Sequence, residues 1–173
     1  MERGSVDLDS LQDESFALAT QATRESYPPE RRLTGERLQR YLDRRAFAVA
    51  GSTRPDGRPH AALTSYVRVG TTFWLPTMAG SIRERNLHTQ PWLVLVVAEG
   101  DHAEHIAVIV EGPCAVAAPD DVPSEVAATA QGPWVSVWLR LEAQRLLSYA
   151  ADGADTDGDG AAPSRSDPSG LAG

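Results

Sequence analysis

The chain has 173 residues, 42% of them hydrophobic and 23% charged, with a formal net charge of −8. That length can bury a full core without disulfide or metal staples, and the acidic balance argues against a non-specific grip on nucleic acid, which needs a basic face. All 16 basic residues are arginine, which excludes a Schiff-base or P-loop lysine, and the single cysteine, Cys114, excludes an internal disulfide and points to a reducing, cytoplasmic setting.

The first ten residues, MERGSVDLDS, are acidic and lack the apolar run of a signal peptide. No apolar stretch approaches the ~18 residues that span a bilayer, so no membrane partner is expected. A helix is predicted over 11–23, ended by Pro28-Pro29. Thr34 is an N-cap candidate for a second helix through Arg44, with Leu38, Tyr41 and Leu42 as its apolar stripe. Residues 1–33 are accordingly read as a helical extension ahead of a domain spanning 34–150.

Strand signals follow. Residues 46–53 (AFAVAGST) lead into Arg54-Pro55-Asp56-Gly57, a strong turn signal, and 59–69 (PHAALTSYVRV) read as the returning strand. Residues 71–77 (TTFWLPT) form a third strand. The continuous apolar run 91–98 (PWLVLVVA) suits a buried strand, as does 105–111, which 114–117 extend beyond a bend at Gly112-Pro113. A short helix over 124–129 precedes a strand at 134–141 (WVSVWLRL) and a short one at 145–149. Short strands with tight turns predict a closed antiparallel sheet, in which no sticky edge is exposed.

Between the third and fourth strands lies GSIRERNLHTQP, from Gly80 to Pro91. Ser81 is a good N-cap, and a helix N-terminus carries partial positive charge suited to an anion. Arg83 falls in that first turn, where a cation opposes the helix dipole unless something negative sits beside it. Arginine forks also grip phosphate through paired hydrogen bonds. A solvated helix with Leu87 packed inward is the alternative reading of the same residues.

The remaining features carry less chemistry. His102 and His105 fall in a polar loop with the spacing of neither HExxH nor HxxEH, so no metal site is expected. Cys114 reads as a small buried filler. Residues 151–173 hold five Asp and one Arg and almost nothing to bury, the composition of a disordered acidic tail. Asp155, Asp157, Asp159 and Gly160 open like an EF-hand loop, but Ser166 stands where the bidentate Glu is required.

Taken in order, TRPDGRPHAALTSYV, TTFWLPT, GSIRERNL, PWLVLVV and HIAVIVEG resemble the pyridoxamine 5′-phosphate oxidase-like split β-barrel flavoproteins, over about Leu38 to Tyr149. The resemblance implies a mainly β fold: a six-stranded antiparallel Greek-key split barrel with flanking helices. It implies a homodimer with FMN in the groove between protomers. Ser81, Arg83, Arg85 and Asn86 match the phosphate-holding segment, with Arg83 where Lys is more usual. His60, Ala61, Ala62, Leu63 and Thr64 match the strand beside the isoalloxazine ring, and Thr77 the residue that closes the preceding strand. Trp134 and Trp138 match the late strand near the dimer groove. Two departures argue against pyridoxamine phosphate as substrate: Ala62 stands where the oxidases carry Arg, and the C-terminal segment with their substrate-binding Arg and His is replaced by WLRLEAQRLLSYAADG and the tail. The expected activity is a flavin-dependent oxidoreductase acting on a small unsaturated or quinone-like molecule, with no catalytic side chain assigned. Relatives that use the deazaflavin F420, and non-catalytic flavin- or haem-binding carriers or sensors, are the alternatives.

Overall fold

The computed structural model describes residues 7–100, 104–130, 132–152 and 154. The EF-hand-like stretch and His102 lie outside the described residues, as does most of the acidic tail.

The expected first helix is two, α1 (Leu8–Ala17) and α2 (Gln21–Ser26). The break follows from Thr20, whose hydroxyl accepts from Thr23 N at 3.2 Å and starts a new helix before the old pattern ends. The next helix, α3 (Gly35–Arg44), begins at Thr34 as expected, but the Thr34 side chain makes no cap bond. Asp9 of α1 does that work, its carboxylate accepting from Gly35 N at 2.8 and 3.0 Å.

Eight strands follow among the described residues: β1 (Phe47–Thr53), β2 (Pro59–Ser65), β3 (Val67–Val69), β4 (Thr72–Thr77), β5 (Trp92–Glu99), β6 (Ile106–Val116), β7 (Val137–Glu142) and β8 (Arg145–Ala150). Helix α4 (Ile82–Thr89) joins β4 to β5, and α5 (Ser124–Ala127) lies between β6 and β7. All pairings are antiparallel, in the order β2-β1-β5-β6-β7-β4-β3, with β8 joined to β6. The chain is therefore mainly β, a curled antiparallel sheet with flanking helices.

Three details differ from the sequence reading. The strand expected over 59–69 divides at Tyr66, whose buried phenol donates to Leu42 O at 2.6 Å. That anchor turns the chain from β1, paired to β2, across to β4, paired to β3. Next, 106–116 is one unbroken strand rather than two with a bend. Its first part pairs with β5 and β8 and its end with β7. Gly112 permits this, because a Cβ there would sit 1.9 Å from Glu142 O. Finally, the sheet is not closed among the described residues: β2, β3 and β8 each pair there on one side only. Eight strands rather than six result from the division at Tyr66 and from β8, a full strand rather than a short addition.

The core fills the concave side. Leu93, Leu95, Val108, Val110, Leu139, Leu141 and Leu146 are essentially inaccessible, and Leu8, Leu11, Leu38 and Tyr41 from the helices and Leu33 from the connection before α3 join them in one cluster. The opposite face of β1 and β2 is apolar and open. Val49 stands opposite Leu63 on one side and Val96 on the other, and Phe47, Val49 and Leu63 are 62%, 44% and 69% exposed. No described helix is long and apolar enough to cross a membrane.

Candidate functional site

The free edge of β2, the end of β4 and the start of α4 enclose a groove of about 360 Å³. Its walls are Phe47, Leu63, Thr64 and Ser65 on the β1–β2 side, and Pro76, Thr77, Met78, Ser81, Arg83 and Trp134 on the other.

Local sequence explains the shape of the α4 end. Gly80 turns the chain with φ of 76°, which a Cβ-bearing residue rarely adopts. Ser81 then caps α4, accepting from Glu84 N at 3.2 Å, while the Glu84 carboxylate accepts from Gly80 N. The pair is a variant of the capping box, legible as Ser-x-x-Glu, in which the Glu reaches the residue before the cap. Thr77 donates to Ser81 Oγ at 3.1 Å, and Ser136 accepts from Ala79 N at 2.7 Å. The loop is thus fixed by its own side chains.

Arg83 is the only ionisable side chain among those walls. It is 9% exposed, and its Nε and Nη1 are buried without a hydrogen-bond partner. Burial pulls its pKa below the usual arginine value, and the nearby Cys114 opposes that shift. A buried cation with unmatched donors at the positive end of a helix is unfavourable in every respect until an anion arrives.

The other expected site residues divide. Leu63, Thr64, Thr77, Ser81 and Trp134 line the groove with Arg83. His60, Ala61 and Ala62 lie further along β2 and do not form its walls. Arg85 is exposed on the outer side of α4, and Asn86 turns inward, donating from Nδ2 to Ser52 Oγ at 2.9 Å. Trp134 sits in the loop before β7 rather than in the strand, its indole against Gly132, where a Cβ would lie 2.9 Å from Nε1. Trp138 is on β7, packed with Trp74 and Val126, and borders a separate apolar cavity of about 390 Å³. Phe47, Ser65, Pro76 and Met78 are wall residues that the sequence reading missed. Phe47 lies on the exposed face of β1, and only the tertiary fold brings it to the groove.

Of the two histidines in that loop, His102 lies outside the described residues, and the His105 ring stacks on Tyr149 with centroids 5.1 Å apart.

A curled antiparallel sheet with free edges at β2, β3 and β8 and flanking helices defines a split-barrel fold. The chain belongs to the pyridoxamine 5′-phosphate oxidase family, whose profile matches residues 34–153. Solved structures show the same fold at low identity. A conserved hypothetical protein of Mycobacterium tuberculosis, Rv2991, is 20% identical with a TM-score of 0.61, covering 72% of this chain and 89% of its own. An FAD-binding protein of Mycobacterium smegmatis is 18% identical with a TM-score of 0.54, covering 69% and 98%. The heme storage protein HutZ of Vibrio cholerae is 15% identical with a TM-score of 0.56, covering 69% and 97%. No curated protein matches the chain.

Proposed function

We propose that the groove between β2 and α4 binds a flavin-type cofactor through its phosphate, FMN in the first instance, and that the protein is a flavin-dependent oxidoreductase. The observation that carries this reading is Arg83, buried, unpartnered and alone in its charge at the groove wall. The residues present fit the group. Arg83 offers two unmatched donors to a phosphate, and Phe47, Leu63, Met78 and Trp134 offer flat or apolar contact to a ring. FMN, when bound, supplies hydride or single-electron transfer, so the protein's part is to hold, orient and shield it. Thr64 and Thr77 add polar contacts along the same wall. The substrate in this reading is a small unsaturated or quinone-like molecule rather than pyridoxamine phosphate, since Ala62 stands where the oxidases carry Arg and WLRLEAQRLLSYAADG replaces their substrate-binding C-terminal segment.

A second copy of the chain completes the site in this reading. Phe47 and Leu63 belong both to the groove wall and to the open apolar face of β1 and β2, so a partner packed on that face also borders the groove.

Titration of FMN, F420 and haem, followed by flavin fluorescence and visible absorbance, tests the proposal. Saturable FMN binding that inorganic phosphate weakens is the expected result. F420 binding without FMN binding moves the protein to the deazaflavin enzymes; binding of neither overturns the proposal. Turnover is read separately, as reduction of bound flavin by NAD(P)H. FMN binding without reduction under any donor makes the protein a carrier.

A further inference from the structure

We propose that Ser52 is a positioning residue for the anion site: through Asn86 it holds α4 so that Arg83 faces the groove. This rests on the flavin-phosphate reading above. The inward face of α4 consists of Arg83, Asn86 and Leu87. Leu87 is its one apolar anchor in the core, so a helix of eight residues depends heavily on what Asn86 does. Asn86 is 2% exposed and donates to Ser52 Oγ on β1 at 2.9 Å. Ser52 in turn stands opposite His60 on β2, with its hydroxyl 3.5 Å from Nδ1. One buried hydroxyl therefore joins α4, β1 and β2, the helix and the strand that flank the groove. Arg83 lies one turn before Asn86 on the same helix face, so rotation or slippage at Asn86 carries the guanidinium with it.

Neither end of this bond lines the groove. Ser52 therefore acts on the phosphate only through helix position, and the ring of a flavin is indifferent to it. That separates positioning from general damage. FMN and riboflavin share the ring and differ by the phosphate, so the ratio of their affinities reads the anion site alone.

Ser52→Ala is expected to weaken FMN about tenfold while leaving riboflavin unchanged, because the buried Asn86 amide loses its partner and the helix relaxes. Ser52→Thr keeps the hydroxyl and is expected to keep the FMN-to-riboflavin ratio within about twofold of the native chain. Ser52→Cys, close in volume but a poor acceptor, is expected to fall with Ala, and supplies the measurement should Ser52→Ala fail to fold. Each variant is titrated by flavin fluorescence, with its ligand-free melting temperature recorded. An unchanged ratio in Ser52→Ala or Ser52→Cys, or equal loss of FMN and riboflavin, overturns the positioning role while leaving the flavin-phosphate reading intact. A native chain that binds riboflavin as tightly as FMN overturns that reading, and this inference with it.

Discussion

Arg83 holds a charge in a place where no described residue neutralises it. Replacing a buried, unpartnered cation with an apolar side chain of similar length removes the desolvation cost without opening a large cavity. Arg83→Met is therefore expected to raise the stability of the ligand-free protein by about 1–2 kcal/mol in urea denaturation. The same change is expected to weaken FMN about ten- to a hundredfold, the loss of a charge-assisted contact. Gain in one and loss in the other is the mark of a residue kept for a ligand; loss of stability instead assigns Arg83 to the fold. Its neighbour Cys114 behaves differently. Burial pushes that thiol up to about 12, from 9.0 in an open chain, with Arg83 pulling weakly the other way. The folded state then keeps a proton that the unfolded state releases above pH 9, so stability falls as pH rises through that range. Tyr41, raised by burial to about 12, and Tyr66, raised further, extend the same trend above pH 10. Cys114→Ala is expected to flatten the early part of this alkaline decline between pH 9 and 10, measured by urea denaturation at stepped pH. An unchanged slope removes the thiol from the account.

At the scale of elements, two placements decide more than propensity does. Helix α3 is capped from outside by Asp9, not by Thr34. Asp9→Ala is expected to cost about 1–2 kcal/mol, while Thr34→Ala stays within about 0.5 kcal/mol of the native value. The reverse order returns the cap to Thr34. Gly112 lets β6 run unbroken beneath the turn from β7 to β8, with Gln144 N donating to Glu111 O at 2.9 Å. Gly112→Ala forces a methyl into a backbone carbonyl and is expected to cost about 3 kcal/mol or more, read from the same denaturation curves. These elements also mark what could be read from the chain. Hydrophobic period and turn residues located the strand-forming stretches within a few residues, with β2 and β3 read as one, because each stretch depends on neighbours close in sequence. The Asp9 cap, the division at Tyr66 and the continuity through Gly112 depend on residues 26, 24 and about 30 positions apart, and no local pattern carries them. The site divides along the same line. Ser81 and Arg83 were legible from helix physics, since a cap and a misplaced cation are local facts. The inward turn of Asn86 toward Ser52 was not, because a helix position alone does not say what faces it across 34 residues.

The core depends on residues between Leu8 and Leu33, although the family profile begins at residue 34. Leu8, Leu11 and Leu33 belong to the same core cluster as Leu93 and Leu146. Ser15 accepts from Leu146 N at 2.9 Å, Ser148 accepts from Leu33 N at 2.9 Å, and Gln12 donates to Leu33 O at 2.8 Å. Outside the sheet, Arg32 covers Phe16, Phe16 meets Tyr27, and Tyr27 meets Tyr149 edge-on at 6.0 Å. The helices therefore close the core over β8 and match its inward polar groups. Removing Leu8, Leu11 and Phe16 alone forfeits on the order of 5 kcal/mol of apolar burial, comparable to the whole stability of many domains. All four tryptophans, Trp74, Trp92, Trp134 and Trp138, lie from β4 onward, so their fluorescence reports the sheet, whereas far-UV circular dichroism also reports α1 and α2. The native chain is expected to unfold in urea with both signals on one transition. A chain beginning at Thr34 is expected to lose the cooperative tryptophan transition at 25 °C. Separate transitions in the native chain, or a truncated chain that unfolds cooperatively at its native midpoint, would make the helices an arm beside the barrel rather than part of it.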